Sequence, residues 1–140
     1  MLGINSLQIT SKSILFLFLF SFGSFSFSQV DSVDVTIHFD LGIDPYDSVT
    51  VDVMHIDLSI HDIDFLGEVL VTLYEPTSGF PLSKIKMTKA ELELESLISG
   101  SDATIKIYGL DPTLEYNIES LVRNYQGGNF PLINSTYTPQ

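Results

Sequence analysis

A two-residue period constrains this chain more than any other feature. Val33, Val35, Ile37 and Phe39 alternate with Asp34, Thr36, His38 and Asp40. A helix, with its period of about 3.6 residues, would scatter these apolar groups around its surface, whereas a strand sets them all on one face. Gly42, Asp44 and Pro45 then punctuate a turn. Val49, Val51 and Val53 resume the alternation on odd positions, and Met54, Ile56, Leu58 and Ile60 continue it on even ones. The change of parity at Val53–Met54 predicts a β-bulge or a strand that bends between sheets.

Further strands follow at short intervals. Glu68 to Glu75 is apolar on both faces in places, which predicts a central strand. A turn over 76–81 precedes a strand over Leu82–Thr88. Lys89 to Ser99 fits two patterns: Glu91, Glu93 and Glu95 alternate with Leu92 and Leu94, yet Leu94, Leu97 and Ile98 share a helical face. A short strand or irregular crossover is the expectation there. Ala103–Tyr108, Leu114–Asn124 and Leu132–Tyr137 complete the set. Seven strands at this spacing predict an all-β fold, a two-sheet antiparallel sandwich.

The first 28 residues stand apart. Ser13 to Ser28 reads SILFLFLFSFGSFSFS, preceded by Lys12 and free of acids before Asp31. Its tight apolar run, Ile14–Phe20, is 7 residues long, and a membrane-spanning helix needs about 20. A short apolar run ending in small side chains is the pattern of a secretory signal peptide. Cleavage is expected between Ser28 and Gln29, making 1–28 the leader and 29–140 the domain. An uncleaved anchor and a buried helix are the alternatives. No cysteine follows the run, which excludes a lipid-anchored lipoprotein.

Composition then narrows the function. Without the leader, 112 residues remain, and the formal net charge moves from −12 to −13, because Lys12 is lost and all 18 acids stay. That charge disfavours nucleic acid, which needs a basic face, and insertion into anionic membranes. The absence of cysteine excludes disulfides, thiolate metal sites and a cysteine nucleophile. In an exported protein it points to a bacterial source, with a secreted, periplasmic or cell-surface location. The charge is uneven: 29–75 holds eleven acids and no Lys or Arg, while 76–140 holds seven acids and five bases.

One segment resembles a known family. Gly109-Leu110-Asp111-Pro112-Thr113-Leu114-Glu115-Tyr116-Asn117-Ile118 is similar to the corner and following strand of a fibronectin type III domain, an immunoglobulin-like sandwich. The shared pattern is Leu110-x-Pro112 with Tyr116 six residues after the leucine. The resemblance implies a tyrosine corner, in which the ring packs in the core and its hydroxyl bonds back to the corner backbone. Arg123 to Gly128 resembles that family's Asn/Gly-rich F–G loop, and Ser135 to Pro139 its final strand. The similarity covers Thr104–Pro139, and the family's strand B tryptophan is missing.

Three candidate sites follow. His55, Asp57, Ser59 and His61 share a strand face, and imidazole with carboxylate suits transition metals. His55 and His61 would be about 20 Å apart on a strand, so one histidine, Asp57 and a partner strand would be needed; a solvated face is the plainer reading. In a fibronectin-like sandwich the A–B and E–F loops share one end, which would bring Asp40, Asp44 and Asp47 towards Asp111 as oxygen ligands for calcium. Aspartate is equally at home in turns for its own backbone bonding. At the opposite end, Tyr125, Gln126, Asn129 and Phe130 of the F–G loop would join His61, Asp62 and Asp64 of the B–C loop in a contact surface for an extracellular protein or glycan. Phe130 could instead fold back over the core.

No nucleophile elbow, phosphate-binding glycine loop or His-Glu-x-x-His occurs. The expectation is therefore a monomeric, noncatalytic secreted module for recognition or adhesion that needs no cofactor. A calcium-stabilised structural domain of the cell surface or matrix is the second reading, and a small secreted hydrolase the third.

Overall fold

The computed structural model describes residues 32–126 and 129–140. The expected leader, 1–28, lies outside them, as do Gly127, Gly128 and the side chains of Asn129, Phe130 and Pro131. Among the described residues the strands are β1 (Val33–Ile43), β2 (Thr50–Ile60), β3 (Leu66–Tyr74), β4 (Pro81–Thr88), β5 (Ile98–Ser99), β6 (Asp102–Tyr108), β7 (Tyr116–Asn124) and β8 (Asn129–Tyr137), with one α-helix, α1 (Lys89–Leu94). Two four-stranded antiparallel sheets form, in the orders β1-β2-β6-β5 and β4-β3-β7-β8. The expected all-β sandwich is therefore present, with eight strands in place of seven. The additional strand is the two-residue β5, which pairs with β6 through Ile98 and Ser99.

The core lies between the sheets, where alternation sends one side chain in two. Met54, Ile56, Leu58 and Ile60 of β2 face inward with Ile105 of β6, and all are fully buried. Val69, Val71 and Leu73 of β3 and Ile118 and Val122 of β7 complete the opposite wall. As its apolar pattern predicts, β3 is central, flanked by β4 and β7.

Two expectations need correcting. The parity change at Val53 is not a bulge: β1 and β2 stay in register from Val33 opposite Ile60 to Ile43 opposite Thr50. Val53 instead faces outward and is still only 2% exposed. It lies against the bare backbone of Gly42, where an added Cβ would sit 2.8 Å from Val53 Cγ2. The second correction concerns Lys89–Ser99, which opens with α1 before the short β5. Thr88 Oγ1 accepts a hydrogen bond from the Glu91 amide at 3.2 Å, and the Glu91 carboxylate accepts one from the Thr88 amide at 2.9 Å. This reciprocal cap satisfies two helix-start donors. Leu92 turns fully into the core, a burial that stabilises by about 2 kcal/mol. Leu94 stays exposed.

The strand directions sort the loops into two ends. The first end gathers Ser32, residues 61–65, α1, Ser101, Tyr125 and Gln126; the second gathers 44–49, 75–80 and 109–115.

Candidate functional site

At the first end, the loop over 61–65 meets Tyr125, which follows β7. Asp62 adopts a left-handed conformation, φ 61°, and a 3-10 turn follows over Ile63–Phe65. The Phe65 carbonyl accepts a 3.0 Å hydrogen bond from the Tyr125 amide. The two rings lie 6.1 Å apart between centroids, tilted by 30°, within the usual range for an aromatic pair. Gly67 makes the approach feasible, because an added Cβ would lie 2.5 Å from the Asn124 carbonyl oxygen. The β3–β7 register shifts between Leu66 and Glu68 around it.

Tyr125 is thus anchored through its backbone while its side chain stays 60% exposed. The Gln126 amide donates to Asn124 Oδ1 at 3.0 Å. His61, Asp62 and Asp64 form the exposed rim beside this pair, with His61 Nε2 3.4 Å from Asp62 Oδ2. The parts of this site assigned to the side chains of Asn129 and Phe130 lie outside the described residues.

The second end holds turns that use their own oxygens. Asp44 Oδ1 accepts from the Tyr46 amide at 2.8 Å and Asp47 Oδ1 from the Val49 amide at 3.3 Å. Asp111 Oδ1 accepts from both the amide and the hydroxyl of Thr113, at 2.9 and 2.6 Å. The Thr113 hydroxyl, followed by its amide, holds the Asp111 carboxyl below its ordinary pKa. Glu75 is lowered likewise, by the Ser78 hydroxyl and then its amide. Asp40 is not in this loop; it lies in β1, opposite Val53. Asp44, Asp47 and Asp111 join no group of three or more metal-capable side chains among the described residues.

The corner is built as its residues imply. The Tyr116 hydroxyl donates to the Asp111 carbonyl at 2.9 Å and accepts from the Asp111 amide at 3.1 Å. Burial raises the Tyr116 pKa. Leu110 packs against the core, and the Pro112 carbonyl accepts from the Tyr137 hydroxyl at 2.9 Å.

A third arrangement occupies the outer face of the β1-β2-β6 sheet. His38 lies opposite His55 in the β1–β2 register. Their rings stack at 4.7 Å with a 13° interplanar angle. His38 Nε2 is 3.4 Å from Asp40 Oδ2, and its Nδ1 is 3.4 Å from Asp57 Oδ2. Asp57 Oδ1 accepts a 2.6 Å hydrogen bond from the Thr104 hydroxyl on β6. The His55 pKa is lowered, first by burial, then by the neighbouring His38 and by Lys106; Asp40 and Asp57 oppose the shift more weakly. His38, Asp40 and His55 each present a ligand atom within 4.8 Å of the others. Of the face read from β2 alone, His55, Asp57 and Ser59 remain, whereas His61 belongs to the turn beyond the strand.

Sequence reasoning found the need for a partner strand but not its identity. A usable signal existed: His38 and His55 are equidistant in sequence from Tyr46–Asp47, the centre of the turn. Comparison of the chain with family models, with curated proteins and with solved structures yields no match.

Proposed function

We propose that this chain is an exported, noncatalytic recognition module of immunoglobulin-like, fibronectin type III-like build. In this reading it contacts a protein or an uncharged glycan through its first end. The observation that carries the proposal is Tyr125, exposed yet held by the Phe65 carbonyl and ring. An aromatic fixed before binding loses little conformational freedom on contact, and such residues dominate binding energy at interfaces. The acidic rim of Asp62 and Asp64 disfavours anionic glycans and favours neutral or basic surfaces. Support for the family reading comes from the sheet orders and the Tyr116 corner.

The test is direct. The leader-free protein is presented to arrays of extracellular glycans and of secreted or cell-surface proteins, in parallel with Tyr125→Ala. The variant is expected to melt near the parent and to bind about thirtyfold more weakly, the equivalent of about 2 kcal/mol. Undiminished binding by a folded Tyr125→Ala would move the contact surface elsewhere. A collapse in melting temperature would make Tyr125 structural.

A further inference from the structure

We propose that His38, His55 and Asp40 form a binding site for a zinc-class divalent cation on the outer face of the β1-β2-β6 sheet. This site is independent of the loop-end contact surface, since β1 and β2 hold it mid-strand.

Geometry and charge support it. Zinc takes nitrogen and oxygen ligands at about 2.0–2.1 Å in a tetrahedron, so neighbouring ligand atoms stand about 3.3 Å apart. The 3.4 Å between His38 Nε2 and Asp40 Oδ2 already matches such an edge. The third ligand atom, from His55, lies within 4.8 Å of both. Because imidazole nitrogens bind in the ring plane, the His55 ring must turn out of its 13° stack on His38 to aim a nitrogen at the same ion.

The second support is the partner behind His38. Its Nδ1 faces Asp57 Oδ2 at 3.4 Å, and Thr104 fixes that carboxylate through the other oxygen. By its charge, a carboxylate beside the far nitrogen favours the tautomer with its proton on Nδ1, which presents Nε2 to a metal.

The third support is charge. Asp40 and Asp57 face the imidazoles, with Lys106 the cation opposite His55. The local balance is net negative, on a chain that is strongly acidic overall. Two neutral imidazoles and one carboxylate form a donor set of the kind that zinc accepts with a fourth position open to water. The open face leaves that position accessible to solvent or to a donor from another molecule.

The experiment is calorimetric titration of the untagged, leader-free protein with Zn²⁺, joined to visible absorption of the Co²⁺ form as a report on nitrogen coordination. One equivalent of Zn²⁺ is expected to bind. His38→Ala and His55→Ala should each abolish that binding, and Asp57→Asn should weaken it about tenfold while the ligands remain. Lys106→Gln should tighten it, and His61→Ala should change nothing. All five positions are surface or half-buried, and a melting curve of each variant confirms folding. Absence of binding by the parent overturns the proposal. So does stoichiometric binding that survives loss of both His38 and His55, which would place the ion elsewhere.

Discussion

The two outer faces of the sandwich obey one rule of alternation and differ in chemistry. The β1-β2-β6 face presents Asp34, Asp40, Asp57 and Asp102, with Lys106 as its one Lys or Arg among the described residues. The β4-β3-β7 face presents Lys84, Lys86 and Arg123 against Glu68 and Glu119. On the second face opposite charges pair directly, as in the 2.8 Å contact of Arg123 with Glu68. On the first, carboxylates turn to imidazoles. The uneven charge along the sequence thus becomes a difference between sheets, because β1 and β2 both come from the acidic stretch and pair with each other. Strand pairing, not composition alone, decides where a charge imbalance is expressed.

The largest test of that contrast lies at two glycines. Gly67 meets backbone of β7, whereas Gly42 meets a valine side chain. Backbone cannot rotate away, so Gly67→Ala is expected to cost about 3 kcal/mol and Gly42→Ala about 1 kcal/mol in urea unfolding. Equal losses would show that the β3–β7 approach is no more rigid than the β1–β2 one. Next comes Thr104→Val, which removes the donor to half-buried Asp57 and should cost about 1 kcal/mol. The same change should shift the His38 ring resonances, and unmoved resonances would detach Thr104 from the histidine network. The smallest effect belongs to the opposite face. A double-mutant cycle on Arg123 and Glu68 should give a coupling of about 0.5 kcal/mol. That coupling should vanish near 1 M salt, where screening reaches about 3 Å; persistence there would mean the pair is better shielded than its exposure indicates.

Much of the fold was legible because apolar alternation reports burial on one face directly. It identified β1, the central β3, β6 and β7, and Tyr116 marked the corner. It failed where the outward face is also apolar. Val51 and Val53 imitated a change of parity, because Gly42 opens a place for Val53 on the solvent side. The helix was hidden by the Glu–Leu alternation of 91–95, although Thr88-x-x-Glu91 is a readable capping box. The histidine cluster was illegible from β2 alone. Its second strand enters only through the register, which the position of the turn sets.

The placement of the first and last strands has a mechanical consequence. Ser32 is held at one end, its carbonyl accepting from the His61 amide, and Tyr137 at the other, its hydroxyl donating to Pro112. β1 and β8 run in the same direction in opposite sheets. Tension between Val33 and Tyr137 therefore pulls along the strands, across ladder bonds that lie perpendicular to them. The β1–β2 ladder is then sheared as a unit and cannot be peeled open pair by pair, so a domain tethered by its two ends would resist stretching far better than one hooked at a hairpin.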